Sequence, residues 1–81
     1  MPIRPPEKRG LTRLGKAIRS IRLKNGLSQE KLGFLADLDR SYVGGIERGE
    51  RNVSFVNLLK VSRALGVTLS ELVRVYDDQN G

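Results

Sequence analysis

The sequence predicts an all-α fold, five short helices in one compact bundle. Three observations predict it. Apolar residues recur at helical spacing in several separate stretches, and no stretch alternates cleanly enough to compete as a strand. All three prolines, Pro2, Pro5 and Pro6, fall within the first ten of 81 residues. Beyond them, residues suited to start or stop helices stand between the periodic stretches.

Residues 1–10, "MPIRPPEKRG", are proline-rich and basic and read as a flexible arm. The first helix covers about 11–24, with Leu14, Ile18 and Ile21 on one face and Asn25-Gly26 as the stop. The second covers about 29–36, capped by Ser28, with Leu32, Leu35 and Ala36 facing inward. The third covers about 40–47, capped by Asp39, with Val43 and Ile46 toward the core and Gly49 closing the loop that follows. The fourth runs about 55–65 from the cap Ser54, carries Leu58, Leu59, Val61 and Leu65, and ends at Gly66. The fifth covers about 69–76, where Thr68 and Glu71 have capping-box spacing, and 77–81 is a tail. One domain over 11–76 is expected.

Composition removes several classes of function. With no cysteine there are no disulfides or thiolate metal sites, and with no histidine the commonest metal ligand and general base are missing. No metal or cofactor is expected. The acidic residues do not cluster, so an enzyme is not expected. No apolar run is long enough to span a membrane, and the first residues lack the apolar segment of a secretory signal; a cytoplasmic protein, associated with the nucleoid, is the expectation. The charge is lopsided. Residues 1–31 carry nine basic against two acidic side chains, and residues 32–81 carry six against seven. That imbalance suits a polyanion, and it also suits a merely solvated face.

The third helix carries the functional reading. Only Asp37-Leu38-Asp39 joins it to the second, and so short a turn forces the two to cross steeply, as a helix-turn-helix. Such a turn needs a small residue at the contact, supplied by Gly33, and a residue tolerant of positive φ, supplied by Asp37. Leu38 plugs the space between the helices. A generic helical hairpin has similar packing needs.

The stretch "GLSQEKLGFLADLDRSYVGGIERGERN", continued by "LLKVSRALGVTLSELV", resembles the lambda-repressor/Cro-like helix-turn-helix family over about residues 11–75. Within it, "DRSYVGGIERGERN" looks most like the controller proteins of restriction–modification systems. The resemblance implies a transcription regulator that binds double-stranded DNA as a homodimer on palindromic operators and autoregulates its own operon. The third helix would enter the major groove, with Arg40 and Ser41 leading. Arginine suits guanine because its planar fork meets O6 and N7 together. Tyr42 would lie beside the DNA backbone or pack on the core. Gln29, Arg51 and Asn52 match positions that reach DNA in similar proteins, and Arg48 and Lys31 are further phosphate candidates.

Gly44 and Gly45 are i+4 from Arg40 and Ser41 and are expected on the exposed face with them. Similar regulators often carry a polar side chain at one of these positions. The bare face would let the helix sit deep in the groove, or it is a tolerated gap on a solvent-facing surface. The resemblance also implies a structural ion pair between Arg22 and Glu47. It places the dimer surface on the last two helices, where Phe55, Val56, Val73 and Tyr76 are the candidates and Leu69 and Leu72 are assigned to the core.

With these helices assigned, no effector domain is expected. The regulator is therefore expected to answer to its own concentration or to a partner protein, and no small-molecule ligand is expected. Activation would need a contact with RNA polymerase, for which the exposed start of the second helix near Glu30 is the candidate by analogy. An antitoxin of a toxin–antitoxin pair and a phage-type repressor are the alternatives nearest in kind. A basic membrane-surface module and an RNA-binding module are alternatives of another class. Against the first, the apolar face of the basic first helix is needed by the core. Against the second, Phe34, Tyr42, Phe55 and Tyr76 form no stacking platform.

Overall fold

A computed structural model describes the backbone of residues 3–80 and the side chains of residues 3–74. Five helices follow one another: α1 (Pro5–Lys24), α2 (Gln29–Ala36), α3 (Arg40–Glu47), α4 (Phe55–Leu65) and α5 (Leu69–Asn80). No strand occurs among the described residues. α1 packs against α3 and α5, α2 against α3 and α4.

Ile18, Leu32, Val43, Ile46, Val61, Leu65 and Leu72 form the buried core, drawing one or two side chains from every helix. Each contributes roughly 1.5–3 kcal/mol by leaving water. Leu14, Ile21, Leu38, Tyr42 and Leu58 pack around that cluster, half-buried.

Local chemistry sets most helix ends. The Ser28 side chain accepts from the Lys31 N–H at 2.9 Å, and Ser54 accepts from the Asn57 N–H at 3.1 Å. Thr68 and Glu71 close a reciprocal capping box. The Glu71 N–H donates to Thr68 Oγ1 at 3.0 Å and the Thr68 N–H donates to Glu71 Oε1 at 3.1 Å. These donors hold the Glu71 carboxyl below its ordinary range, the backbone N–H of Thr68 first and its hydroxyl second.

Several expectations need correction. Residues 5–10 are not an arm. α1 begins at Pro5, because proline is tolerated in a helix's first turn, where its missing N–H has no acceptor in any case. Lys8 Nζ then donates to the Gly49 carbonyl and ties that turn to the loop after α3. The tail predicted at 77–81 is helical as far as Asn80. Leu35 is half exposed instead of inward; Leu32 and Ala36, one turn apart, define the buried stripe of α2, and Leu35 falls on its edge. Leu69 is half-buried, and Leu72 alone of the pair is fully enclosed. Asp39 occupies the N-cap position of α3, but its carboxylate accepts from the Ser41 hydroxyl and makes no cap bond to the backbone. Gly44 and Gly45 are buried, since arginine side chains lie over them.

Two close approaches fix the position of α3. A Cβ on Gly33 would stand 2.6 Å from the Leu38 carbonyl oxygen, so only glycine lets the turn pass α2. A Cβ on Gly15 would stand 2.4 Å from the carbonyl oxygens of both Ile46 and Glu47, so α1 and the end of α3 touch backbone to backbone. Between α2 and α3, Asp37 takes the left-handed conformation at φ 57°.

Candidate nucleic-acid interface

α3 has one face locked and one face free. On the locked face Val43 and Ile46 are buried. At its end, Arg22 Nε donates to Glu47 Oε2 at 2.6 Å and Arg22 Nη2 donates to Glu47 Oε1 at 2.9 Å, a two-point ion pair. The two side chains are only 7% and 2% exposed. Arg22 Nη1 donates to the Leu27 carbonyl at 2.8 Å, so the same guanidinium also holds the α1–α2 turn. Hydrogen bonding to Glu47, partly opposed by burial, raises Arg22 above its ordinary value, and the guanidinium stays charged. A third donor, Gln29 Nε2, reaches Glu47 Oε1 at 3.0 Å and joins the first turn of α2 to the last turn of α3.

The free face begins at Arg40. Its side chain is 70% exposed and lies 3.7 Å from Glu30, itself exposed. An exposed pair at that distance is worth little, so Arg40 can exchange it for a stronger acceptor. Ser41 stands beside it. A cleft of about 620 Å³ opens between the first turns of α2 and α3, with Gln29, Glu30, Arg40, Ser41, Gly44 and Arg48 around it. Arg48 Nε pairs with Glu50 at 3.1 Å.

On the other flank of α3, the Arg51 guanidinium sits 5.6 Å from the centre of the Tyr42 ring, within cation–π range. The Tyr42 hydroxyl accepts from Asn57 Nδ2 at 3.0 Å. Of the two roles expected for Tyr42, core packing is therefore present: the ring lies against the buried cluster and its hydroxyl is anchored to α4. Asn52 is exposed in the loop that follows.

The fold gathers Gln29, Arg40, Ser41, Gly44 and Arg48 around the cleft, and Tyr42, Gly45 and Arg51 beside it. Lys31 is not brought to the cleft; its ammonium lies 5.3 Å from the Phe34 ring on the outer face of α2. Gln29 is present, but its amide is bound to Glu47. The sequence reading missed that bond, the carbonyl held by Arg22, and the anchoring of Tyr42 by Asn57. Glutamine one residue past a helix cap was the available signal for the first. Of the other two, one runs from a helix to a carbonyl in the turn after it and one from helix to helix, and periodicity carries no trace of either.

Away from this face, Phe55 and Val56 at the start of α4 are 64% and 59% exposed, and Val73 of α5 is also exposed. Tyr76, the fourth expected interface residue, lies outside the described side chains. Among the described residues no group of acidic side chains is placed to hold a metal, and no helix is long and apolar enough to cross a membrane.

Residues 18–72 match the helix-turn-helix family. The chain is 53% identical over 60 residues to the control protein C.BamHI of Bacillus amyloliquefaciens, covering 73% of this chain and 74% of that protein. It is 52% identical over 61 residues to the control protein C.MunI of a Mycoplasma species, covering 74% of this chain and 82% of that one. The crystal structure of the restriction-modification controller protein C.AhdI from Aeromonas hydrophila superposes with a TM-score of 0.76 at 56% identity, over 76% of this chain and 94% of the other. With its three-residue α2–α3 turn, its locked α3 and these relatives, the chain belongs to the lambda-repressor/Cro-like helix-turn-helix family of transcription regulators, alongside the restriction–modification controller proteins.

Proposed function

We propose that this regulator binds palindromic operators upstream of its own operon as a homodimer and there times the expression of a restriction–modification system. α3 enters the major groove, Arg40 reads a guanine edge from its first turn, and Ser41 serves a base or a neighbouring phosphate. Gln29, Arg48, Arg51 and Asn52 supply contacts around that centre, and Lys31, on the outer face of α2, is left as a phosphate contact at its periphery. The observation that carries this reading is Arg40. It is a long, exposed, weakly paired cation at the leading end of a helix whose other side is fixed by Val43, Ile46 and the Arg22–Glu47 pair.

Phe55, Val56 and Val73 support dimerisation through α4 and α5, since exposed apolar side chains on adjacent helices gain by being covered. Each copy measures 30 × 26 × 20 Å. Two copies side by side therefore suit half-sites about 34 Å apart, one turn of the duplex. Dimerisation coupled to DNA binding makes occupancy rise steeply with concentration, which suits a delayed switch. Activation would further require a contact with RNA polymerase, and Glu30 at the exposed start of α2 is available for it.

Footprinting on the duplex upstream of the chain's own coding sequence tests the proposal. It predicts two protected half-sites related by a twofold axis. Protection without symmetry, or none at moderate salt, would contradict it. Sedimentation of Phe55→Ala and Val56→Asp variants tests the interface: both shift the protein toward monomer and weaken operator binding at low concentration.

A further inference from the structure

The sequence leaves the middle of α3 bare, and the fold covers it from elsewhere. A Cβ on Gly44 would lie 3.0 Å from Arg48 Nη1 and 3.4 Å from Gln29 Oε1. A Cβ on Gly45 would lie 3.0 Å from both Cγ and Nε of Arg51. Both glycines are buried beneath these side chains. Each arginine is also held at a second point, Arg48 through Nε by Glu50 at 3.1 Å and Arg51 by the Tyr42 ring at 5.6 Å. Both arginines remain exposed, Arg48 with 59% of its side chain accessible, and each is folded back along the helix.

From these contacts we infer that Gly44 and Gly45 are seats for Arg48 and Arg51, so that the donors over the middle of α3 are guanidinium groups reaching back from the helix end and the loop beyond it. The inference rests on α3 facing DNA and deepens that reading. A methyl at position 44 or 45 would come within 3.0 Å of the arginine above it and push that side chain off its seat by a few tenths of an ångström. The glycines thus act as positioning residues: they touch no DNA themselves and set where two planar donors lie. The ligands are oxygen and ring-nitrogen acceptors of duplex DNA, on a guanine edge or on a phosphate. If the glycines instead gave the DNA itself clearance, their replacement would cost the same with or without the arginines.

A double-mutant cycle separates the two, measured on a duplex fragment from upstream of the chain's own coding sequence. Gly44→Ala weakens binding about fivefold, near the lower end of what one guanidinium contact is worth. Its thermal midpoint is unchanged or higher, because alanine is the better helix former. In an Arg48→Ala background the same substitution has no further effect. Gly45→Ala behaves likewise with Arg51→Ala. The acceptor is read from the Arg48→Ala protein. A loss uniform across sequences with a smaller salt dependence marks a phosphate, and a loss confined to one base-pair position marks a guanine edge. Undiminished binding by Gly44→Ala, or an equal loss in both backgrounds, would overturn the seat while leaving the DNA-binding reading intact. Failure of the unsubstituted protein to select the fragment would overturn both.

Discussion

Removing Glu47 should come close to unfolding this protein, although the change deletes a single carboxylate. In the Glu47→Ala variant Arg22 stays behind with its side chain 7% exposed, losing its acceptors at 2.6 and 2.9 Å. Gln29 loses its acceptor at 3.0 Å as well. Two charge-assisted bonds at roughly 1.5–3 kcal/mol each set the scale. Breaking a buried pair on one side typically costs about 3–5 kcal/mol, in the same range. A chain of 81 residues has a total stability of roughly 4–12 kcal/mol, so the loss takes a large share of it. Urea unfolding followed by circular dichroism measures the change. The midpoint should fall steeply with the slope unchanged, provided a folded baseline survives. The double replacement Arg22→Met with Glu47→Leu should recover most of the loss, since an apolar pair leaves no buried charge unpaired. A Glu47→Ala protein within about 1 kcal/mol of the parent would refute the reasoning, because the pair would then behave like an exposed one.

Three further outcomes follow from the packing and the caps. Gly15→Ala places a methyl 2.4 Å from two backbone carbonyl oxygens, which cannot swing aside, so it should destabilise by about 2–3 kcal/mol in urea unfolding despite better helix propensity. Asp37→Gly relieves a left-handed residue at φ 57° and should stabilise by about 0.5 kcal/mol after the extra freedom of glycine in the unfolded chain is counted. Glu71 contributes stability that is present above the ordinary carboxylate value of 4.5 and lost as pH falls through its lower folded-state value. The gap between the parent and Glu71→Gln in thermal melts should therefore be full near neutrality and close in acid; a gap independent of pH would exclude the charged cap.

What the sequence disclosed was mostly local. Ser28, Ser54 and the Thr68–Glu71 box act within one helical turn, and each is recognisable without knowing the rest of the chain. Val43 and Ile46 were legible from spacing, and Gly33 and Asp37 from the geometry of a three-residue turn. What escaped notice depends on approach in space. Gly15 looks like an ordinary weak point in a helix until α3 is laid across it. Pro5 and Pro6 read as an arm because the helix they open is supported by Lys8 and Thr12 against Gly49, 37 or more residues away. The pattern within α3 puts Gly44 and Gly45 on an open face, because it cannot report that arginines beyond its last turn lie back over them. The Arg22–Glu47 pair came from family resemblance, and no rule of periodicity predicts it.

The central claim is that the leading end of α3 meets the major groove of an operator, with Arg40 at a guanine. Methylation interference at guanine N7 tests it most directly, run in parallel on the parent protein and on Arg40→Ala. The parent should be blocked by methylation at one guanine in each half-site. The variant should be insensitive to that same guanine and weaker by about 1–3 kcal/mol. An Arg40→Ala protein that binds as tightly as the parent, with the same interference pattern, would contradict the account.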